Sequence, residues 1–415
     1  MSSEYGGIAH FKLGPYHAFL LNRPEDIESV LVTHQHRFEK GRTLDGARRL
    51  FGNGLLTSDG AHHARQRRLV QPTVHRVRMD DYADAMTQLS AAWCDGLSDG
   101  GTVDIAGEMS RLTLAITGRI VFGADGDGVA SRIRDSLDTA TGLLEVAVLP
   151  FAGLIDLLPS TRMRRFRAAR ATIDRAVSDI VDRRRRDGGA HGDVASLMVA
   201  ARDGGNGAGM SDSQLRDEIV TLLLASHETT ANALAWTWYL LAHHRDVEAR
   251  LHAEIDAILG PDRRPTAGDV PSLPFTRAVL AESMRLYPPA WLIARVAIED
   301  HEASGFVIPA GALVVLSPWV VHRDSAWYAR PEQFDPARWC AEGQGHRPRF
   351  SYFPFGGGPR GCMGEAFAWM EGVLLLAVIA RRWRFHLVDE SSPPRPHPGL
   401  TLTPKPGIRV RVERA

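Results

Sequence analysis

A glycine-rich loop around one cysteine constrains this sequence more than any other segment. The loop reads Phe-Gly-Gly-Gly-Pro-Arg-Gly-Cys-Met-Gly from Phe355 to Gly364, and an apolar run typical of a helix extends from Met363 to Arg382. A thiolate just before a helix receives backbone N–H groups and the positive end of the helix dipole, which lower its pKa. Glycines let those amides approach the sulfur without an intervening Cβ. The loop therefore indicates that Cys362 is a ligand or a nucleophile.

Two other interpretations of the loop compete with this one. A tight turn with a buried structural cysteine is the ordinary explanation for a cysteine near glycines. Gly356, Gly358 and Gly361 also match the dinucleotide-binding pattern G-x-G-x-x-G, but that pattern needs a preceding strand inside a βαβ unit. Pro359 lies inside the pattern and no βαβ unit surrounds it, so we reject the dinucleotide interpretation.

The composition excludes several classes of protein. Lys and Arg number 49 together, as do Asp and Glu, so no net charge favours nucleic acid or an anionic membrane. The three cysteines, Cys94, Cys340 and Cys362, show no framework spacing, which is typical of a reducing compartment. We see no signal peptide and no span of about 20 apolar residues, since charges and proline interrupt the stretch from Gly142 to Pro159. We therefore expect a cytoplasmic monomer without a membrane span.

The hydrophobic pattern predicts a mainly α chain with a minor β part. Alternation over Ala9–Leu21 predicts a half-buried strand, and the pattern from Asp80 to Arg186 is helical. A capping box at Ser211–Gln214 begins a helix that ends near His244 and is about 45–50 Å long. The pattern further predicts helices over Arg245–Leu259 and Leu273–Leu286, short strands over Val296–Val315, an irregular stretch over Tyr328–Pro354, a last helix over Met363–Arg382 and a terminal hairpin over Leu400–Val412.

The segment from Phe355 to Gly364 resembles the haem-binding signature of the cytochrome P450 family, Phe-x-x-Gly-x-Arg-x-Cys-x-Gly, at every fixed position. Four further segments resemble the family in the right order, from about Leu13 to the C-terminus. The resemblance implies the cytochrome P450 fold, with haem b between the long central helix and the cysteine loop with the last helix. It makes Cys362 the axial ligand of the haem iron, and it places Phe355 and Gly364 beside the haem.

The resemblance also implies a single haem domain over residues 1–415. An N-terminal β-rich part would cover residues about 8–60, and a helical core would cover residues about 60–290. A part that contains strands, an irregular meander and the cysteine loop would cover residues about 290–415. No flavin or iron–sulfur segment is visible, so we expect no fused reductase.

Glu282 and Arg285 are three residues apart on one predicted helix, a spacing at which opposite charges meet. Most such pairs are solvated surface pairs, so this spacing alone carries little weight. The surrounding segment from Leu280 to Pro289 resembles the K-helix of the family, and Pro331–Trp339 resembles its meander. The resemblance implies that Arg338 joins Glu282 and Arg285 in a buried charge network with a structural role.

A run of polar residues follows Ala225 in the middle of the long helix, where the sequence reads Ala-Ser-His-Glu-Thr-Thr. Ala225 and Thr229 share a helix face, and polar residues are costly in a buried helix unless they have a role. A solvent-facing patch is the plain alternative. The resemblance places Ala225 on the distal haem face and makes Glu228 and Thr229 the acid–alcohol pair that delivers protons. Ser226 stands where the family usually has Gly, and we expect it to alter the local kink and water chain.

Haem propionates need cationic or hydrogen-bonding partners. His63 and Arg67 are four residues apart and resemble the propionate-binding pair of the family, whereas His62 has the wrong spacing to Arg67. Arg295 on a predicted strand and Arg360 in the cysteine loop are the other candidates. A surface salt bridge is the alternative for each residue taken singly.

The resemblance implies a monooxygenase that inserts one oxygen atom of O₂ into a small lipophilic molecule by hydroxylation or epoxidation. A terpenoid, a polyketide or a fatty-acid-like compound is the expected substrate, as in bacterial secondary metabolism. A peroxide-driven haem-thiolate peroxygenase, a haem isomerase and a non-catalytic haem-binding protein are the alternatives. The expected pocket segments are Arg42–Leu56, Leu143–Leu149, Val220–Thr229, Ala290–Ala294 and Gly399–Leu402.

Electrons are expected from a separate ferredoxin or flavodoxin with its NAD(P)H-dependent reductase. We expect the electron donor to dock near the cysteine side of the haem, with Arg65, Arg68 and Arg76 as contacts.

Overall fold

Helices make up most of the structure, a computed structural model that describes residues 6–147, 161–187, 192–205, 207–260, 263–340 and 347–415. This confirms the prediction of a mainly α chain with a minor β part. None of the helices in these ranges is both long and apolar enough to cross a membrane. The helices, numbered in chain order, are α1 (Pro24–Glu28), α2 (Asp45–Phe51), α3 (Gly60–Val70), α4 (Met79–Asp95), α5 (Ile105–Phe122), α6 (Gly126–Ala147), α7 (Thr161–Arg186), α8 (Val194–Ala200), α9 (Asp212–His243), α10 (Arg245–Leu259), α11 (Pro274–Leu286), α12 (Pro318–Val321) and α13 (Glu365–Ala380).

The central helix is α9, and its 32 residues make it about 48 Å long. The predicted capping box begins it: Ser211 Oγ accepts the Gln214 amide at 3.3 Å, and the Gln214 side chain accepts the Ser211 amide at 2.9 Å. Beyond Ile219 most residues on every side are buried, because α5, α7, α11 and α13 pack around the helix. Local capping signals and long apolar periodicity thus predicted the element that organises the core.

The last helix, α13, follows directly on the cysteine loop. It is buried almost throughout from Phe367 to Ala380, and a helix that is apolar on every side belongs in a core. It packs against α4, α9 and α11. The cysteine loop is therefore anchored to the most buried part of the chain.

The strands form four small sheets. A five-stranded sheet has the order β1-β2-β8-β5-β3, a three-stranded sheet has the order β4-β12-β9, and β6 with β7 and β10 with β11 form two hairpins. The strands are β1 (Ile8–Leu13), β2 (Tyr16–Leu21), β3 (Phe38–Glu39), β4 (Thr102–Asp104), β5 (Ile293–Ala297), β6 (His301–Ala303), β7 (Phe306–Ile308), β8 (Leu313–Leu316), β9 (Trp383–Leu387), β10 (Arg395–Pro398), β11 (Leu402–Lys405) and β12 (Arg409–Arg414).

Two predictions about strands were wrong. The single strand predicted over Ala9–Leu21 is a hairpin, because Gly14 adopts a φ of +61° and turns β1 back onto β2. The terminal hairpin predicted over Leu400–Val412 does not form, since β11 pairs with β10 whereas β12 pairs with β9 and β4. Both errors concern strand pairing, which depends on residues distant in sequence.

The two other cysteines are ordinary. Cys94 is fully buried in α4, where burial raises the pKa of its thiol to about 12. Cys340 follows a short turn, with its sulfur 4.0 Å from the Pro336 carbonyl oxygen. Within the described ranges no group of three or more His, Cys, Asp or Glu side chains could hold a metal ion.

Some of the residues singled out from the sequence have side chains that the structure does not describe. They are the predicted pocket segment Leu143–Leu149 and the two arginines Arg42 and Arg76.

Candidate active site

The cysteine loop is a compact turn closed by its own backbone. The Cys362 amide donates to the Phe355 carbonyl at 2.9 Å, and the Gly361 amide donates to the Gly358 carbonyl at 3.0 Å. Gly358 has a φ of +66°, and a Cβ there would lie 1.9 Å from the Leu31 carbonyl oxygen. The expected reason for the glycines was amide access to the sulfur. At Gly358 the structural reason is instead close packing against the neighbouring turn at Ser29–Thr33.

The Cys362 side chain is exposed at the end of this loop, yet protein surrounds it closely. Burial raises the pKa of the Cys362 thiol, and the Gly364 amide is the largest opposing influence. The Glu365 carboxylate raises the pKa further, while Arg67 lowers it. The expectation of a lowered pKa was therefore wrong for the protein groups taken by themselves.

Ala225 is exposed in the middle of α9, although Leu223, Leu224 and His227 beside it are buried. An exposed residue inside a core helix indicates a cavity against that face. Thr229, one turn further along, is partly buried and donates its hydroxyl to the Ala225 carbonyl at 2.7 Å. The face of α9 singled out from the sequence therefore borders open space within the core.

Glu228 does not point freely into solvent. Its Oε1 accepts a hydrogen bond of 2.6 Å from Thr401 Oγ1, on the turn between β10 and β11. Asn232, one turn after Glu228 on α9, donates from Nδ2 to the same Thr401 oxygen at 2.9 Å. Thr401 lies in the predicted pocket segment Gly399–Leu402, but no role was predicted for it or for Asn232, although Asn232 is four residues from Glu228 and shares its helix face.

Ser226 faces α5, where Thr117 Oγ1 lies 3.2 Å from its own Oγ. The same hydroxyl donates to the Leu222 carbonyl at 2.6 Å. Thr113 of α5 donates to the carbonyl of the next residue, His227, at 3.1 Å. The helix runs without interruption from Asp212 to His243, so Ser226 joins two helices rather than breaking one.

The four residues proposed for anion binding lie in one neighbourhood. Arg360 bonds Asp59 at 3.0 Å through Nη2, while its Nη1 is buried without a hydrogen-bond partner among the described residues. Arg67 donates to the Gly361 carbonyl at 2.9 Å, which ties α3 to the cysteine loop. Arg295 is 9% exposed and donates to the Ala294 carbonyl at 2.9 Å.

The pKa shifts of these groups place them in one positive region, because the charges of several of them act on the others. Burial lowers the pKa of Arg295 to about 10, and the positive charge of Arg360 adds to that shift. Burial lowers the pKa of His63 to about 4, with further contributions from Lys40, Arg360 and Arg67. His63 is therefore neutral at pH 7 and would bind an anion as a hydrogen-bond donor. An anion placed here would relieve the repulsion among these groups.

Lys40 is a member of this region that the sequence analysis missed. It is 6% exposed, and its amine donates to the Leu55 carbonyl at 2.8 Å and the Ser58 carbonyl at 3.1 Å. Burial, followed by the charge of Arg295, lowers the pKa of Lys40 to about 7. Lysines are rarely buried, so no local sequence signal indicated this position.

Glu282 is the centre of a fully buried charge network. Its carboxylate binds Arg285 through two hydrogen bonds of 2.8 and 2.9 Å and accepts from Arg338 Nε at 3.1 Å. It also accepts from Trp339 Nε1 at 2.8 Å and from the Asp335 amide at 3.0 Å. The network joins α11 to the segment that leads toward the cysteine loop, as the sequence analysis expected for the three charged residues.

Three of the expected pocket segments lie around α9, which itself contains a fourth, Val220–Thr229. The Leu55 amide, after α2, donates to Glu218 at 2.9 Å. The Leu402 carbonyl accepts from Trp236 at 3.1 Å. The segment before β5 bonds the same turn, since Trp291 Nε1 donates to the Gly399 carbonyl at 3.0 Å. The apolar residues Leu44, Leu56, Leu222, Ile293 and Leu400 keep part of their surface accessible in these segments.

The expected docking arginines differ in availability. Arg65 is bound within the chain, to Asp203 at 3.0 Å and to the Gly209 carbonyl at 3.0 Å. Arg68 contacts the same aspartate at 3.5 Å but is 63% exposed. Of these two, Arg68 is the more accessible to a partner protein.

Comparisons with known proteins agree with this geometry. The family described as Cytochrome P450 matches residues 1–411. Cyclooctatin synthase of Streptomyces melanosporofaciens is 40% identical over 409 residues, which cover 98% of this chain and 87% of that protein. Cyclooctat-9-en-7-ol 5-monooxygenase of the same organism is 36% identical, with 96% of this chain and 84% of that protein covered. Pentalenene oxygenase of Streptomyces avermitilis is 32% identical, with 99% and 91% covered.

Solved structures are similar over the whole chain. The haem domain of cytochrome P450DA has a TM-score of 0.89 and 26% identity, and the match covers 100% of this chain and 91% of that one. A cyanobacterial protein with bound retinoic acid, CYP120A1, has a TM-score of 0.90 and 25% identity, with 100% and 93% covered.

Proposed function

This chain belongs to the cytochrome P450 family of haem monooxygenases, and we propose that it hydroxylates or epoxidises a terpenoid with haem b as its cofactor. We propose further that residues 1–415 act as one haem domain in a cytoplasmic monomer. A separate ferredoxin or flavodoxin with an NAD(P)H-dependent reductase would supply electrons.

The observation that carries the haem proposal is the accessible Cys362 thiol near a group of buried cations that share one positive region. Cys362 would bind the iron, while Arg67, Arg295, Arg360 and neutral His63 would hold the propionates. The buried and unpartnered Nη1 of Arg360 fits an additional anionic acceptor. When bound, haem supplies O₂ activation and oxygen insertion, and the protein supplies position, protons and exclusion of water.

Glu228 and Thr229 support a monooxygenase over the alternatives. A peroxygenase, a haem isomerase or a haem-binding protein has no need for an acid and an alcohol that move protons to a cavity. Thr229 lies on the same face as the exposed Ala225, and Glu228 is the adjacent carboxylate. In this proposal Glu228 accepts a proton from the protein interior and releases it through Thr229 or water on that face.

The terpenoid proposal rests on the apolar pocket segments and on the relatives. Leu56, Leu222, Ile293 and Leu400 offer apolar surface that suits a hydrocarbon skeleton. Two of the relatives named above, a monooxygenase of cyclooctat-9-en-7-ol and an oxygenase of pentalenene, are bacterial terpenoid monooxygenases, and each match covers nearly this whole chain. A fatty acid or a polyketide remains the comparison substrate in the test below.

Two experiments test the proposal. The reduced protein with carbon monoxide should show the red-shifted Soret band of thiolate ligation, and Cys362→Ser should lose it while Cys340→Ser keeps it. Titration with a cyclic terpene alcohol, a long-chain fatty acid and a macrolide should then shift the haem spin state with the terpenoid at the lowest concentration. Retention of the thiolate band in Cys362→Ser would refute the ligand assignment, and tighter binding of the fatty acid would refute the substrate class.

A further inference from the structure

The hydrogen bond between Thr401 and Glu228 has a defined direction. An amide Nδ2 group can only donate, so Thr401 Oγ1 accepts the hydrogen bond from Asn232. The one hydroxyl hydrogen of Thr401 is then left for Glu228 Oε1, at 2.6 Å. Thr401 and Asn232 are 6% and 8% exposed, so bulk water competes little for these groups. The carboxylate of Glu228 is therefore held by an ordered chain of donors.

The turn that carries Thr401 is itself fixed. The Leu402 amide donates to the Pro289 carbonyl at 3.0 Å, and the Leu402 carbonyl accepts from Trp236 of α9 at 3.1 Å. Trp291 donates to the carbonyl of Gly399 at the other end of the turn, at 3.0 Å. Three anchors on a four-residue segment leave Thr401 little freedom to follow Glu228 if that side chain moves.

The same turn lies next to the proposed substrate pocket. Leu400 precedes Thr401 and keeps part of its surface accessible, so a substrate that contacts Leu400 presses on the segment that holds Glu228. The neighbouring alcohol, Thr229, instead donates its hydroxyl to the Ala225 carbonyl of its own helix at 2.7 Å. Thr401 thus joins the turn beside the substrate pocket to the carboxylate of Glu228 by a direct hydrogen bond.

We propose that Thr401 is a positioning residue for the monooxygenase reaction, which orients the Glu228 carboxylate for proton delivery and couples it to the turn that contacts substrate. This inference rests on the proposed function. Loss of the Thr401 hydroxyl removes the 2.6 Å hydrogen bond that orients the Glu228 carboxylate, so protons reach the cavity more slowly and more of the reducing equivalents reduce O₂ only to hydrogen peroxide.

Thr401→Val tests the inference, because valine keeps the shape of threonine and removes its hydroxyl. One hydrogen bond to a charged group is worth about tenfold or more in a rate that depends on it. We expect turnover about tenfold lower, more hydrogen peroxide per NAD(P)H consumed and a larger solvent deuterium isotope effect. The substrate concentration that gives half of the maximal spin-state shift should stay within about twofold of the wild-type value, because the variant keeps the shape of the pocket.

Thr403→Val is the matched control, since Thr403 lies two residues further along and its hydroxyl has no hydrogen-bond partner among the described residues. Its peroxide yield and isotope effect should equal those of the wild type. Thr401→Ser should restore both. Equal changes in Thr401→Val and Thr403→Val would overturn the inference, because they would mean that repacking of the turn is the cause.

A double-mutant cycle decides whether Thr401 acts through Glu228. In a Glu228→Gln background, Thr401→Val should change turnover and peroxide yield by less than about twofold. Independent, multiplicative losses would overturn the inference even if each single variant is impaired. A wild-type protein that lacks the thiolate band or oxidises no terpenoid would instead refute the proposed function, so the two failures are distinguishable.

Discussion

Replacement of Glu371 by glutamine should stabilise the fold at neutral and alkaline pH. Glu371 is 0% exposed within α13, and no donor in the described ranges has good hydrogen-bond geometry to either carboxyl oxygen. Burial raises the pKa of this carboxyl to about 8, and the nearby Thr230 hydroxyl of α9 opposes the shift only in part. At pH 7 the side chain is therefore mostly protonated in the folded protein and ionised in the unfolded chain.

The sign of the pH dependence follows from that difference. A carboxyl whose pKa is higher in the folded state favours folding least at high pH, because the unfolded chain gains stability by ionising. Relative to pH below 4.5, the cost to the fold is about 3 kcal/mol at pH 7 and approaches about 5 kcal/mol above pH 8. Glutamine has a similar shape and no charge to lose, so its variant should lack this loss of stability.

Urea unfolding of the haem-loaded protein at pH 5, 6, 7 and 8 measures the difference. The free energy of unfolding of the glutamine variant, relative to that of the wild type, should rise by about 1 kcal/mol or more for each pH unit between 5 and 8. Glu302→Gln, which changes an exposed glutamate on β6, is the control and should show no such trend. A stability difference between Glu371→Gln and wild type that stays constant over this range would refute the reasoning.

Three further predictions concern the support of the site. Glu282→Ala leaves Arg285 charged and fully buried, so we expect a loss of about 3–5 kcal/mol in urea unfolding together with poor haem retention. Gly358→Ala forces a Cβ against a backbone carbonyl oxygen at a φ of +66°, and should lower the haem content per purified protein severalfold. Gly128→Ala, whose Cβ would meet nothing within 4 Å, should leave that content unchanged. Ser226→Gly removes the bond to α5 and adds backbone freedom, so it should cost about 1–2 kcal/mol of stability while the substrate spin shift is retained.

Local signals predicted the helices well, because each helix carries its own start, stop and periodicity. The capping box at Ser211 and the prolines after Leu286 mark boundaries that the structure reproduces within a residue or two. Strand pairing carries no comparable local signal. The partners Arg409 and Asp104 are about 300 residues apart in sequence, and nothing near either residue indicates the other.

The same distinction divides the residues of the site. A short motif identified Cys362, and helix spacing led to His63 and Arg67. Lys40 was missed, and Thr401 was predicted only as part of a pocket segment, because the contacts of both residues come from burial and from distant segments. A lysine near the N-terminus looks like a surface residue until Leu55 and Ser58 enclose it, and the link from Thr401 to Glu228 exists only once the terminal turn lies against α9.

The pKa of Cys362 is raised, whereas the sequence predicted that it would be lowered. The difference shows which effect at the sulfur is larger. A helix dipole and its amides contribute about 0.3–1 kcal/mol at an exposed helix end, which is less than one pKa unit. Burial can shift a pKa by several units, and here it is the largest influence on the thiol, ahead of the Gly364 amide. The loop by itself therefore disfavours a bare thiolate. A cation bound to the sulfur would reverse that balance, since it would be the largest local charge. In the proposed function the haem iron would be that cation, so Cys362 would ionise together with binding of the iron and not before it.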